Sequence, residues 1–193
     1  MALPEGGLRD GEVLVRHVVR GDARALQEAI ATDESISRWT RIPWPYTAAH
    51  ATEFVVRSDL GWSSGRDAAC VIVDLGTAAV TGGIGLHRIG GTSQERSSLL
   101  RDEIGYWLTP GARGRGFATR ALAMLSRWAI LDAGVPSINL QTKVGNDASR
   151  RVALRAGYRF VRRVGAGEVD DDMGEHDRYV LRASDLTAVE PAG

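Results

Sequence analysis

The stretch "DEIGYWLTPGARGRGFATRALAMLSRWAI", residues 102–130, changes character halfway along. Glu103 to Thr109 reads as a strand, Pro110 and Gly111 break it, and Arg113-Gly114-Arg115-Gly116 leads into Ala118, Ala121, Leu122, Leu125, Trp128 and Ala129 at helical spacing. A glycine-bearing turn between a strand and a helix has a specific physical consequence. The first amide N–H groups of the helix have no intrahelical partner, and they carry the positive end of its dipole. Gly114 and Gly116 let a ligand come close to that backbone, and Arg113 and Arg115 add positive charge, so the turn is a candidate phosphate cradle. The same residues also read more plainly, as a tight turn with two solvated arginines.

Elements on either side extend the pattern. "AACVIVDL" (68–75) and "TGGIGLHRI" (81–89) flank a short connection and predict an antiparallel hairpin. Upstream, "EVLVRHV" (12–18) alternates as a half-buried strand does. Asp22 then stands where it can cap a helix carrying Leu26, Ala29, Ile30 and Asp33. Pro43 and Pro45 turn the chain, and Thr47 predicts the N-cap of a helix with Ala51, Phe54 and Val55 inside. Trp39 and Trp44, beside those prolines, serve either packing or the wall of a binding cleft. Gly134 and Pro136 end the long helix, and "SINLQT" (137–142) is the next strand. Asn146 or Asp147 caps a short helix closed by Gly157, "YRFVRRV" (158–164) is a strand, and Asp177 to Leu181 is the last. The polar "GGTSQERSSLLRD" (90–102) reads as a mobile loop. The expectation is an α/β protein of one domain, residues 1–193, with a central mixed sheet.

Composition removes several function classes. Lys+Arg and Asp+Glu both total 24, so no global field draws the chain to nucleic acid or an anionic membrane. No apolar run is long enough to span a bilayer, and the N-terminus lacks a secretory leader pattern, which makes a cytoplasmic location the expectation. The single cysteine, Cys70, sits in an apolar run and reads as a buried hydrophobe. His17, His50, His87 and His176 lie apart without metal-ligand spacing, so no metal is expected.

Among phosphate-binding patterns, the P-loop is excluded because no Gly-Lys-Ser/Thr follows the glycines, and no third glycine completes a dinucleotide-binding turn. Arg113, Gly116 and Ala118 do fit R/Q-x-x-G-x-G/A. On that motif the chain resembles the GNAT superfamily of N-acetyltransferases. "NDASRRVALRAGYRFV" (146–161), with Asn146 and Ser149, together with "EIGYWL", "GLHRI" and "RWTRIPWPYT", is similar to its Rim-type (RimJ and RimL) branch over about Glu12 to Leu186.

The resemblance implies a mostly antiparallel GNAT sheet, flanked by helices and splayed open after "EIGYWL". It implies acetyl-coenzyme A as co-substrate, held by Trp107, Leu108, Thr109, Arg113, Gly114, Arg115, Gly116, Phe117, Ala118, Thr119 and Asn146. The amine acceptor would be a protein N-terminus or a small amine such as a polyamine or aminoglycoside, attacking directly in a ternary complex. Relatives of this kind often pair as dimers, which the sequence does not establish here.

An alkyl amine must lose a proton before it attacks, so a base is needed. The resemblance points to Glu103, since relatives often place a glutamate on this strand, although it also reads as a surface carboxylate, and Asp102 is the competitor on the opposite face. The tyrosine that many relatives place on the helix after Asn146 is replaced by Ala153, which leaves Ser149, by resemblance to Rim-type relatives a residue near the departing sulfur and otherwise a plain first-turn helix residue. His87 either faces the acceptor or makes a structural hydrogen bond, and the acidic run before His176 either meets a cationic acceptor or is a solvated loop. The missing tyrosine keeps open a second reading, a catalytically silent coenzyme A-binding sensor of the same fold.

Overall fold

A computed structural model of the chain describes residues 2–88, 102–168 and 174–186. The loop at 90–101 and most of the acidic run at 170–175 fall outside the described residues, as does the tail from 187.

Eight strands form a single sheet: β1 (Leu8–Asp10), β2 (Val13–His17), β3 (Asp67–Asp74), β4 (Ala79–Arg88), β5 (Asp102–Leu108), β6 (Ser137–Lys143), β7 (Arg159–Val164) and β8 (His176–Arg182). Their order is β1-β2-β3-β4-β5-β6-β8-β7, and every neighbour is antiparallel except the central pair β5 and β6. The short β1 was not expected from the sequence, because three residues carry no period.

One face of the sheet is covered by α4 (Phe117–Leu131) and α5 (Asp147–Arg155), the other by α1 (Ala23–Ala31), α2 (Ser35–Trp39) and α3 (Ala48–Ser64). A single turn, α6 (Ala183–Leu186), ends the described chain. Strand β3 explains this two-sided cover. From Ala68 to Asp74 every residue is buried, a near-continuous apolar run of the kind a strand needs when both its faces are packed. Cys70 is part of it, and burial pushes its thiol well above the ordinary range.

Helix α4 buries Ala121, Leu122, Leu125 and Ala129 completely, all on the stripe that the sequence spacing predicts. It stops where expected, with Gly134 at φ +70°. Thr47 caps α3, its hydroxyl accepting from the His50 amide while His50 Nδ1 accepts from the Thr47 amide.

Two expectations for α1, its cap and its extent, need correction. Asp22 flanks α1 but does not cap it: its carboxylate accepts from the Val19 amide at 2.8 Å and from both terminal nitrogens of Arg16 at 2.7 and 2.8 Å. A buried carboxylate gains more from a bidentate guanidinium than from one helix amide. Asp33 lies beyond the end of α1 and instead accepts from the Ser35 amide, opening α2.

Burial pushes the Asp22 carboxyl up, but the Arg16 and Val19 bonds outweigh it and hold the group below the usual carboxylate range. Its stabilising contribution is therefore present above about pH 4 and lost as pH falls through the lowered value. Asp22→Ala should cost about 2 kcal/mol at neutral pH by denaturant unfolding, and the deficit should shrink below about pH 4. A deficit that does not change with pH would refute this assignment.

Candidate functional site

The site begins where β5 and β6 part. The two strands share a single register pair, Glu103 with Asn139, after which β5 continues through residue 108 without a partner on that side. On its other side β5 is paired with β4 from Gly82–Leu108 to Arg88–Asp102. One edge of residues 104–108 thus presents main-chain polar groups to the opening rather than to a strand.

A cavity of about 700 Å³ occupies this opening and extends beneath α1, α2 and α3. Of the residues singled out from the sequence, Glu103, Ser149, Trp107, Leu108, Arg113, Gly114, Ala118, Asn146, Trp39 and His87 all line it. Trp44 does not. Its side chain is exposed on the turn, so its role as a cleft wall is not supported.

The glycine turn has the expected backbone. Gly114 and Gly116 have φ of +78° and +81°, and a Cβ built on either meets nothing within 4 Å, so the turn is bare on its outer side. The first bond of the following helix runs from the Arg120 amide to the Gly116 carbonyl at 3.1 Å. The amides of Phe117, Ala118 and Thr119 therefore precede the helical ladder. Phe117 offers only its amide, since its ring is buried in the core.

The two arginines do something the sequence did not reveal. Arg113 turns back, its guanidinium donating to the Leu108 carbonyl at 3.2 and 3.0 Å and pairing with Asp33 at 2.5 Å. Arg115 pairs with Asp74 at 2.7 Å and with Glu12 at 3.4 Å, and lies over the Phe117 ring. Both fasten the turn to the body of the sheet. Thr109 is fixed in the same way, bonded through amide and hydroxyl to the Thr81 carbonyl.

Deeper in the cleft, Tyr106 points to the α5 side of β5 and its hydroxyl lies 2.9 Å from Ser149 Oγ. Burial pushes the Tyr106 phenol up to about 12, only partly offset by Ser149, so it stays protonated at neutral pH. Asn146 Oδ1 accepts from the Ser149 amide at 3.1 Å, capping α5 and fixing the serine. Tyr106 was quoted in the sequence only as part of a strand, and its role as partner to Ser149 needed the fold to bring residues 43 positions apart together. Ala153, at the position of the missing tyrosine, is wholly buried and far from solvent.

On the opposite face of β5, the Glu103 carboxylate is mostly buried, with the Arg41 guanidinium 3.9 Å away. Asp102 is buried on the other side of the strand, so of these two candidates Glu103 is the carboxylate that lines the cavity. His87 bonds Asp67 at 3.2 Å and lines the cavity as well, so the two readings of this residue are compatible. The wholly buried His176 bonds the Gly174 carbonyl at 2.8 Å and belongs to the far end of the sheet. Among the described residues no group of three or more His, Cys, Asp or Glu side chains could hold a metal ion, and no helix is long and apolar enough to cross a membrane.

Comparison with known proteins bears on this geometry. The model of the acetyltransferase (GNAT) domain matches residues 12–159, well over half of the chain. The chain belongs to the GNAT acetyltransferase family. It is accordingly an acetyl-coenzyme A-dependent acetyltransferase. No curated protein matches it in sequence. Solved structures similar to this acetyltransferase include Mycobacterium smegmatis RimJ in complex with CoA-disulfide, with 23% identity, TM-score 0.76, and 90% of this chain and 83% of that one covered. Another is RimL, a ribosomal L7/L12 alpha-N-protein acetyltransferase in complex with coenzyme A, with 16% identity, TM-score 0.76, and coverage of 90% and 95%. A third is the microcin C7 self-immunity acetyltransferase MccE with acetyl-CoA and AMP, with 17% identity, TM-score 0.76, and coverage of 94% and 98%. At these identities the likeness establishes the fold.

The bonds of Arg113 give a direct test of how the turn is held. Arg113→Ala should lower stability by about 1–2 kcal/mol in thermal or denaturant unfolding, and Arg113→Lys should recover less than half of it, because an ammonium cannot reach carbonyl and carboxylate together. An unchanged midpoint in both variants would show that the turn is held by other contacts.

Proposed function

We propose that this acetyltransferase moves an acetyl group from acetyl-coenzyme A directly to a primary amine, either the α-amine of a protein N-terminus or a small amine, with both substrates bound together. The observation that carries this reading is the parting of β5 and β6 beside the glycine turn. It supplies two complementary surfaces for one extended carrier. The free edge of residues 104–108 suits the amides of a pantetheine arm, in the way an edge strand receives an added strand. The bare turn at 114–119 suits its pyrophosphate, with main-chain amides and the helix dipole rather than guanidinium groups as the chief attraction. The Leu108 carbonyl already accepts from Arg113, so the arm is expected to meet the remaining groups of that edge.

Glu103 and the pair Tyr106 and Ser149 lie on opposite faces of β5, one on the side of the acceptor chamber and the other toward α5. That is the disposition an attack through the cleft requires. The carboxylate of Glu103 removes a proton from the attacking ammonium, the nitrogen forms a bond to the acetyl carbon, and the carbon–sulfur bond breaks. The departing sulfur takes a proton from the hydroxyl pair, where Tyr106 is held protonated by burial and Ser149 stands within hydrogen-bonding distance of it, and the second proton that the nitrogen sheds as the amide forms passes to solvent, from which the pair is reprotonated. Asn146 keeps Ser149 in place through its amide.

Gly116→Val should weaken coenzyme A binding at least tenfold in calorimetry, since a branched side chain is strained at φ +81° and projects into the open side of the turn. Unaltered affinity would remove the turn from the site. Glu103→Gln should lower kcat/KM most on the acid side of the pH profile, where free amine is scarce, and a profile parallel to wild type would clear Glu103 of proton removal.

A further inference from the structure

The acceptor side of the cavity has an unusual floor. On β5, Glu103, Gly105 and Trp107 face the same way, and β4 places His87, Gly85 and Gly83 directly opposite them. A Cβ on Gly83 would come within 2.6 Å of Trp107 Nε1, so the missing side chain lets the indole lie down on the sheet. A Cβ on Gly85 would come within 3.3 Å of His87 Nε2, so the imidazole leans over that residue. A Cβ on Gly105, by contrast, would meet nothing within 4 Å. Between two aromatic rings and beside the Glu103 carboxylate there is thus a well whose floor is bare backbone.

That floor offers little hydrogen bonding. Residues 82–88 of β4 are paired with β5 on one side and largely with β3 on the other, so their amides and carbonyls are directed along the sheet and not up into the cavity. A polyol or an extended peptide laid on it would leave polar groups unsatisfied, each costing about 1–3 kcal/mol. A flat hydrocarbon body incurs no such cost. The roof matches, since Ile30, Ile36, Trp39, Tyr46 and Phe54 line the same cavity from α1, α2, α3 and the turn between the last two. Charge selects in the same direction. With Arg113 paired to Asp33, the cavity lining sets Arg41, Arg57 and Lys143 against Glu53 and Glu103, one cation in excess, which disfavours an acceptor with a second ammonium.

From these features, and resting on the acetyl-transfer reading above, we infer that the acceptor is a monoamine whose nitrogen is carried on a flat, mainly hydrocarbon body, the class of the arylalkylamines. The ring occupies the well over Gly105, between Trp107 and His87, and the amine lies at Glu103.

The test compares 2-phenylethylamine, spermidine, tobramycin and an alanine-terminated hexapeptide as acceptors for the wild type and for Gly105→Val, a β-compatible change at a residue with no positive φ. The wild type should favour 2-phenylethylamine at least tenfold in kcat/KM over each of the others. Gly105→Val should raise the KM for that amine at least tenfold, and by several times more than it raises the Kd for coenzyme A in calorimetry, because the arm meets only the main chain of residue 105. A preference for the peptide or a polycation overturns the inference, as does a Gly105→Val enzyme with unchanged KM. A Gly105→Val enzyme that only shortens the acyl chain accepted from coenzyme A also overturns it, because the well then serves the acyl group. If no amine is turned over although coenzyme A binds, the acetyl-transfer reading fails, and calorimetry of 2-phenylethylamine with the coenzyme-loaded protein decides the rest. Heat that is lost in Gly105→Val upholds the well as an arylalkylamine site, and absence of heat in the wild type refutes it.

Discussion

Two parallel strands at the middle of an otherwise antiparallel sheet meet at one residue pair and then diverge. The proposed site of this acetyltransferase follows from that divergence. A buried strand edge cannot be left without hydrogen-bond partners at no cost, so the opening beyond Glu103 and Asn139 has to be filled by solvent or by a ligand with its own amides and carbonyls. The rest of the architecture holds the gap at a fixed width. Helix α4 packs against β5 and β1–β2 on one face, and Lys143 reaches from β6 to the Arg38 carbonyl on the other, tying α2 to the strand beyond the gap.

The glycine turn depends on the same framework. Its amides are useful only if the loop is rigid, and rigidity comes from Arg113 clamped on Leu108 and Asp33 and from Arg115 on Asp74 and Glu12. Guanidinium groups that look like ligands for phosphate in the sequence are fasteners in the fold. The division of labour is physically sensible. A main-chain cradle binds an anion without reorganising, whereas a long side chain must first be ordered.

The fold was legible because its signals are local. Sequence pattern marked the β3–β4 hairpin and the α4 stripe, and Gly134 and Gly157 marked helix ends, but β2, expected as a half-buried strand, has Val13, Leu14 and Val15 all buried because both its faces are packed. The splayed opening, by contrast, came from a resemblance and not from any residue pattern, since one register pair between β5 and β6 is a property of packing. The site was legible in part for the same reason. Glu103, Ser149 and the glycine turn carry chemistry that a reader of sequence can weigh. The pairing of Tyr106 with Ser149, the Asp22–Arg16 bridge that displaced an expected helix cap, and the well over Gly105 are long-range or depend on which strand face a residue takes. For Trp44 the sequence leaves packing and a cleft wall equally open, and the fold places it exposed on the turn and off the cavity lining.

A crystal structure of the protein with coenzyme A tests the central claim most directly. The account predicts that the pantetheine arm runs along β5 between residues 104 and 108, hydrogen-bonded to its free edge, with the pyrophosphate on the amides of 114–119. A carrier bound elsewhere, or β5 and β6 closed into a continuous ladder with the carrier outside, would contradict it.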